Sequence, residues 1–247
     1  MQSLIREIPN FFTYYNMELI LWGIGQTLAL TFLGCGAGFF FGAIITLIRT
    51  SRSIWLVPVK AVVIVYVEFF RRIPFLVILF IVLFAAQVVI PTVSLFGIAA
   101  ISICLLSTAY LSEIIRAGVE SVQKPQIEAA ETMNFTRWRA MIDVILPQAW
   151  KVIIPPATSF MIMFIKDTSL ASQMGVTELM YTGKILANRG FSGLLVYSVI
   201  LICYFAISYP LAIFAGWVEK KLATPNNKKS ERLVRERAGI AGLQPYN

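Results

Sequence analysis

Long apolar runs separated by short polar segments set the pattern of this chain. A helix that crosses a bilayer needs roughly 20 mostly apolar residues. Residues 19–48, 73–93, 95–115 and 193–218 meet that requirement, and 152–172 does so despite Lys166 and Asp167 within it. The run 54–70 is shorter, is interrupted by Pro58 and carries Lys60 and Glu68. If it spanned, Arg71 and Arg72 would face the side opposite Arg49 and Arg52, against the tendency of basic residues to stay inside. The pattern therefore predicts an interfacial elbow leading into the second span. The expected fold is an all-α integral membrane protein with five transmembrane helices. Its N-terminus lies outside and its C-terminus in the cytoplasm. Residues 1–18 form an extracytoplasmic segment, 19–218 the transmembrane part and 219–247 a basic tail. The tail's Lys220, Lys221, Lys228, Lys229, Arg232, Arg235 and Arg237 predict a solvated segment near anionic lipid.

Composition agrees with this reading. With 58% hydrophobic and 14% charged residues, and a mean hydropathy of +0.76, the chain is too apolar for an ordinary soluble domain. The net charge of +8 lies in short segments between apolar runs, where membrane topology explains it better than nucleic-acid binding does. Residues 1–17 contain Glu7, Pro9 and Asn10 and no compact apolar core before small residues, so no cleaved secretory signal is expected. Cys35, Cys104 and Cys203 stand far apart and histidine is absent, which argues against a disulfide framework, a zinc site and triad chemistry. Gly183-Lys184 is followed by Ile185 without the earlier glycine of a phosphate loop, so the chain has no such cradle for ATP.

The polar segment 123–150 interrupts a sequence otherwise suited to lipid. Pro125 fits a first helical turn, and Gln126 to Met133 predict a helix of about two turns. Asn134 closes it in the left-handed conformation, and Thr136 caps a second helix. Ala129 and Ala130 give the first helix a slim face that another protein can approach, while Glu128 and Glu131 can meet basic partners. The plain alternative is a solvated surface helix. In the first span Gly34, Gly38 and Gly42 recur every fourth residue, a spacing that permits close helix packing, with a gating hinge as the other reading.

Charges inside the spans need partners, since each costs roughly 2.5–3.5 kcal/mol at the centre of a lipid-facing helix. Lys166 lies roughly 21 Å along its helix from Val152, which places it in the outer half of the membrane. Glu113 and Arg116, three residues apart, can form an ion pair linking the third span to the polar loop. Glu68, Arg71 and Arg72 gather at the inner mouth of the second span, as gate or interface contacts or as a boundary with lipid phosphates.

Glu128-Ala129-Ala130, Asn134 and Val144-Ile145-Leu146-Pro147 resemble the cytoplasmic loop of permeases of binding-protein-dependent ABC importers. That loop reads Glu-Ala-Ala, three residues, Gly, nine residues, an aliphatic residue, any residue, Leu-Pro; Asn134 replaces the Gly. The resemblance continues through Gly23, Gln26-Thr27-Leu28, Leu30-Thr31, Arg49, Ser51, Tyr66-Val67-Glu68, Arg71, Pro74 and Leu76-Val77. It includes Ala109-Tyr110, Glu113, Arg116, Leu146-Pro147-Gln148-Ala149, Lys166-Asp167-Thr168-Ser169-Leu170 and Glu178-Leu179, a set similar to permeases for polar amino acids. Lys124-Pro125 and Arg72 depart from the usual pattern.

The resemblance implies the type I importer permease fold, with a coupling helix, in the bacterial cytoplasmic membrane. This chain would bind no cofactor, with ATP and Mg on a pair of ATPase subunits. A second permease chain, identical or homologous, would complete the pore, and an extracytoplasmic binding protein would deliver an amino-acid substrate. ATPase coupling would fall to Gln126, Glu128, Ala129, Ala130, Asn134, Leu146 and Pro147. Substrate-path or gate candidates are Glu68, Arg71, Tyr110, Glu113, Lys166, Asp167, Thr168, Ser169 and Glu178. Lys166 and Asp167 either pair within the protein or contact the amino acid. Two other readings remain: an ion-coupled carrier using Lys166, Asp167 and Glu113 as relay charges, and a membrane scaffold without transport.

Overall fold

A computed structural model describes residues 2–51, 53–90 and 92–222, and all the regular structure among them is helical. Arg52 and the expected basic tail beyond Leu222 lie outside the described residues. Helix α1 (Gln2–Phe11) precedes α2 (Tyr14–Thr50), whose 37 residues reach roughly 55 Å at 1.5 Å each and so outrun the apolar core of a bilayer. The buried positions of α2, among them Ile20, Gly23, Thr27, Leu30, Thr31, Gly34, Gly38 and Gly42, recur at helical spacing and form one stripe.

From Leu30 onward that stripe packs on α5 (Leu95–Glu120), which Ser94 caps by accepting from the Gly97 N–H. Gly34, Gly38 and Gly42 face Ile103, Ser107 and the Leu111–Ser112 backbone in turn, so α2 and α5 run parallel. Close approach lets polar groups bond across the seam: Ser107 Oγ donates to Gly34 O at 2.8 Å and Thr46 Oγ1 to Ser112 O at 2.9 Å. The glycine repeat is thus a packing seam.

The elbow is a 3₁₀ turn (Ile54–Leu56) followed by α3 (Val57–Arg72), which meets α4 (Phe75–Val89) at a bend of 116°. Pro74 cannot continue α3, and it constrains Ile73 to extended backbone. Helix α4 has 15 residues, roughly 22 Å, which is short of the thickness expected for the run 73–93. Four unbroken stretches are long and apolar enough to cross a membrane, and the bent α3–α4 pair brings the number to five when the two helices are taken together as one broken span. The elbow is more than a surface strap, because Tyr66 Oη donates to Leu105 O at 2.6 Å, midway along α5.

Beyond α5 come α6 (Lys124–Thr132), α7 (Arg137–Ala140), a π turn (Met141–Ile145) and α8 (Leu146–Asp167). A 3₁₀ segment (Thr168–Met174) ends at Gly175, with φ 89°. Helix α9 (Leu179–Asn188), absent from the sequence reading, precedes α10 (Gly193–Leu222). Helices α2, α9 and α10 share a core of Ile20, Leu179, Leu186, Val196 and Ile200, sealed by Phe11 of α1. The Ser192 N–H donates to Glu7 Oε2 at 2.8 Å, which ties α1 to the start of α10.

Candidate coupling and substrate-path sites

Helix α6 holds Pro125 in its first turn, where the missing N–H has no helical partner to lose. At its end Asn134 adopts φ 62°, the only positive φ at a non-glycine among the described residues. The Phe135 N–H reaches Ala130 O and the Asn134 N–H reaches Glu131 O, both at 3.0 Å. These two bonds make a Schellman stop, so Asn134 occupies the position that favours glycine. Thr136 Oγ1 then accepts the Arg139 N–H at 3.3 Å and starts α7.

The loop exposes Gln126, Glu128, Ala129, Asn134, Leu146 and Pro147. The slim face expected of Ala129 and Ala130 is divided, because Ala130 is fully buried and only Ala129 faces outward. Two residues sit where sequence alone did not flag them: Met133 and Trp138 are 61% and 66% exposed beside α6. A cavity of about 700 Å³, lined by Thr50, Val119, Lys124, Trp138 and Ile145 among others, separates the loop from the ends of α2 and α5.

The loop packs on the bundle through Ile115, Val122, Ile145, Ala149 and Ile153, and next to it a chain of charges joins the ends of α2 and α5. Glu113 Oε2 accepts from Arg49 at 2.9 Å, while its Oε1 pairs with Arg116, which also pairs with Glu120. The Glu113–Arg116 pair expected from spacing is present, and Arg49 adds a link from α2. Both carboxylate oxygens of Glu113 are engaged, which makes it a strut rather than a group free to exchange protons.

Lys166 and Asp167 attract each other through space without a direct hydrogen bond or close ion pair among the described residues. Adjacent residues on a helix point about 100° apart, and these two diverge. Lys166 is exposed and lines a cavity of about 340 Å³ with Ser169, Met180, Tyr197 and Tyr204. Asp167 is half-buried and lies on the stripe of α8 that carries Phe160 and Phe164. Thr168 is fully buried and donates to Ile165 O at 2.7 Å.

Glu178 is fully buried and caps α9 by accepting the Met180 and Tyr181 N–H groups, each at 2.9 Å. It also accepts from Tyr204 Oη at 2.8 Å and Thr27 Oγ1 at 3.4 Å, joining α2, α9 and α10. Burial pushes its carboxyl above the ordinary range, against the pull of these donors. Glu178→Gln places an amide N–H₂ against groups that only donate there, and is expected to cost about 1–3 kcal/mol. A lower thermal unfolding temperature of the purified complex checks this; an unchanged one would remove the role. No sequence pattern marked Tyr204 as its partner.

The inner-mouth cluster expected of Glu68, Arg71 and Arg72 divides into two. Arg72 pairs with Glu68 at 2.7 Å on an exposed face. Arg71 turns instead toward Tyr110, whose ring centroid is 5.7 Å from its Cζ. Among the described residues no group of three or more His, Cys, Asp and Glu side chains is arranged to hold a metal ion.

Residues 38–224 match the family described as binding-protein-dependent transport system inner membrane component. The chain is 35% identical over 209 residues to the probable amino-acid ABC transporter permease protein YckA of Bacillus subtilis (strain 168), covering 84% of this chain and 91% of that one. It is 39% identical over 202 residues to the L-cystine transport system permease protein TcyB of the same organism, covering 81% and 85%. Among solved structures, an amino acid ABC transporter crystallised with histidines superposes with a TM-score of 0.76 at 29% identity, covering 89% of this chain and 97% of that one. The inward-facing MetNI methionine ABC transporter gives 0.74 at 19% identity, covering 86% and 100%, a likeness of fold. With its capped α6 loop and its bent second span lying inside the matched region, the chain belongs to the family of binding-protein-dependent transport system inner membrane components.

Proposed function

We propose that this chain is the pore-forming permease of an ATP-driven importer for a polar amino acid in the bacterial cytoplasmic membrane, with its N-terminus outside. The observation that carries the reading is α6, a short helix with a defined stop that presents Glu128 and Ala129 beside exposed Met133 and Trp138. Large apolar side chains on a polar loop suit contact with another protein. That partner is an ATPase pair, which supplies the ATP and Mg. A second permease chain completes the pore, lipid surrounds it, and an extracytoplasmic protein delivers the substrate. The amino-acid class is supported by the names of the relatives. Closure of the ATPases on ATP pushes the paired loops together and favours the outward-open pore, provided the motor binds the two states differently.

The ion-coupled carrier is less well supported, since both oxygens of Glu113 are held by arginines and Lys166 and Asp167 face different surroundings. Proteoliposomes holding the permease with the ATPase and binding protein from neighbouring genes distinguish the two. Amino-acid uptake should require internal ATP and survive collapse of ion gradients. Uptake driven by a gradient without the ATPase would overturn the proposal.

A further inference from the structure

Arg49, Arg72, Arg116 and Arg139 each pair with a carboxylate, and Arg189 reaches Asn16 Oδ1 at 2.9 Å. Arg71 differs. Its Nε is buried without an acceptor, and no carboxylate meets its guanidinium among the described residues. The group is nevertheless held in place. Tyr110 Oη donates back to Arg71 O at 3.2 Å, the Tyr110 ring lies beside the guanidinium, and that ring stacks on Phe160 with centroids 5.3 Å apart. Arg71 therefore stands at the bend between α3 and α4, beside an aromatic wall from α5 and α8. Its neighbours Phe70, Ile73 and Tyr110 pack against the bundle core, to which Phe160 belongs.

A partly buried cation without a counterion is costly unless an anion can reach it. The geometry points to Arg71 as the group that binds the α-carboxylate of the amino acid crossing the membrane, with Tyr110 and Phe160 as the apolar wall beside it. This inference rests on the reading of the chain as an amino-acid permease. A planar guanidinium matches a carboxylate through two parallel N–H···O bonds. The α-carboxylate is also the anionic group that every amino acid carries, whatever its side chain. A lipid phosphate fits less well, because the exposed face of the same helix holds the Arg72–Glu68 pair while Arg71 lies against the Tyr110 ring of α5.

The test uses the complete permease–ATPase complex with its binding protein in proteoliposomes. The probes are radiolabelled L-glutamine, L-cystine and a mixture of the other protein amino acids. Arg71→Met should lower uptake of the transported amino acid roughly 10- to 100-fold, the loss that goes with hydrogen bonds to an ion. Arg71→Lys keeps the charge without the fork and should fall at least several-fold, which carries the test if Arg71→Met fails to assemble. The isolated binding protein should keep its affinity. In the detergent-purified complex without binding protein, the same amino acid should raise the unfolding temperature of the wild type but not of either variant. Its decarboxylated counterpart should give no protection. Wild-type complex that takes up no amino acid overturns the permease reading, and this site with it. Wild-type uptake with equal uptake by assembled Arg71→Met, or by Arg71→Lys, overturns the carboxylate site alone. So does unchanged ligand protection accompanied by loss of the permease pair or of bound anionic lipid, which would assign Arg71 to a neighbouring chain or a lipid phosphate.

Discussion

Gly42→Leu is expected to destabilise the bundle by about 3 kcal/mol or more, at the upper end of what overpacking costs. A Cβ at Gly42 would lie 2.8 Å from Ser112 N, 3.2 Å from Leu111 C and 3.3 Å from Ser112 Cα. All three atoms are backbone, so no rotamer change relieves the clash and α2 must move off α5. The movement also breaks the bond from Thr46 Oγ1 to Ser112 O, which leaves Thr46 Oγ1 only its bond to Gly42 O within α2. Gly36→Ala is the control, because nothing stands within 4 Å of a Cβ there. Thermal unfolding of the detergent-purified protein should separate the two variants by many degrees. Equal unfolding temperatures would mean that the α2–α5 seam is looser than these distances require.

Much of this seam was legible in the sequence because it is local. Glycines every fourth residue on an apolar helix require a close neighbour, although the pattern does not name α5. The stop at Asn134 was equally readable, since residue chemistry within four positions decides a left-handed turn, and the Glu113–Arg116 pair needed only helical spacing. Contacts distant along the chain were not readable. Glu178 stood out only as a substrate-path or gate candidate by resemblance, and its bond to Tyr204 joins residues 26 apart and its bond to Thr27 residues 151 apart. The elbow was harder still: hydropathy placed it by the sidedness of its arginines, whereas the 116° bend and the contact of Tyr66 with Leu105 depend on packing. Arg71 and Arg72 are neighbours in sequence, yet one lies against the Tyr110 ring and the other pairs with Glu68. Adjacent positions on a helix point about 100° apart, so a charge cluster in sequence is not necessarily one in space.

The same distinction between neighbours gives the coupling loop its sharpest test. Ala129 is exposed and Ala130 fully buried, so a bulky residue should act differently at the two positions. Ala129→Trp leaves the packing of α6 intact and should change folded stability by no more than about 0.5 kcal/mol, as surface substitutions usually do. Placed where a partner's groove approaches the helix, the indole should weaken ATPase association or uncouple hydrolysis from uptake. A lost central contact of about 2 kcal/mol corresponds to roughly 30-fold. Glu128→Lys, also exposed, should act in the same direction by reversing the charge offered to a basic partner. Ala130→Leu should instead disturb the loop itself, because the Ala130 side chain is fully buried and a larger one there must displace the turn that the Phe135 N–H to Ala130 O bond closes. Co-purification of the ATPase, ATP-dependent uptake and thermal unfolding, measured together on all three variants, separate docking from folding. If Ala129→Trp and Glu128→Lys both retain wild-type association and uptake, α6 is an ordinary solvated helix and the motor must engage the permease elsewhere.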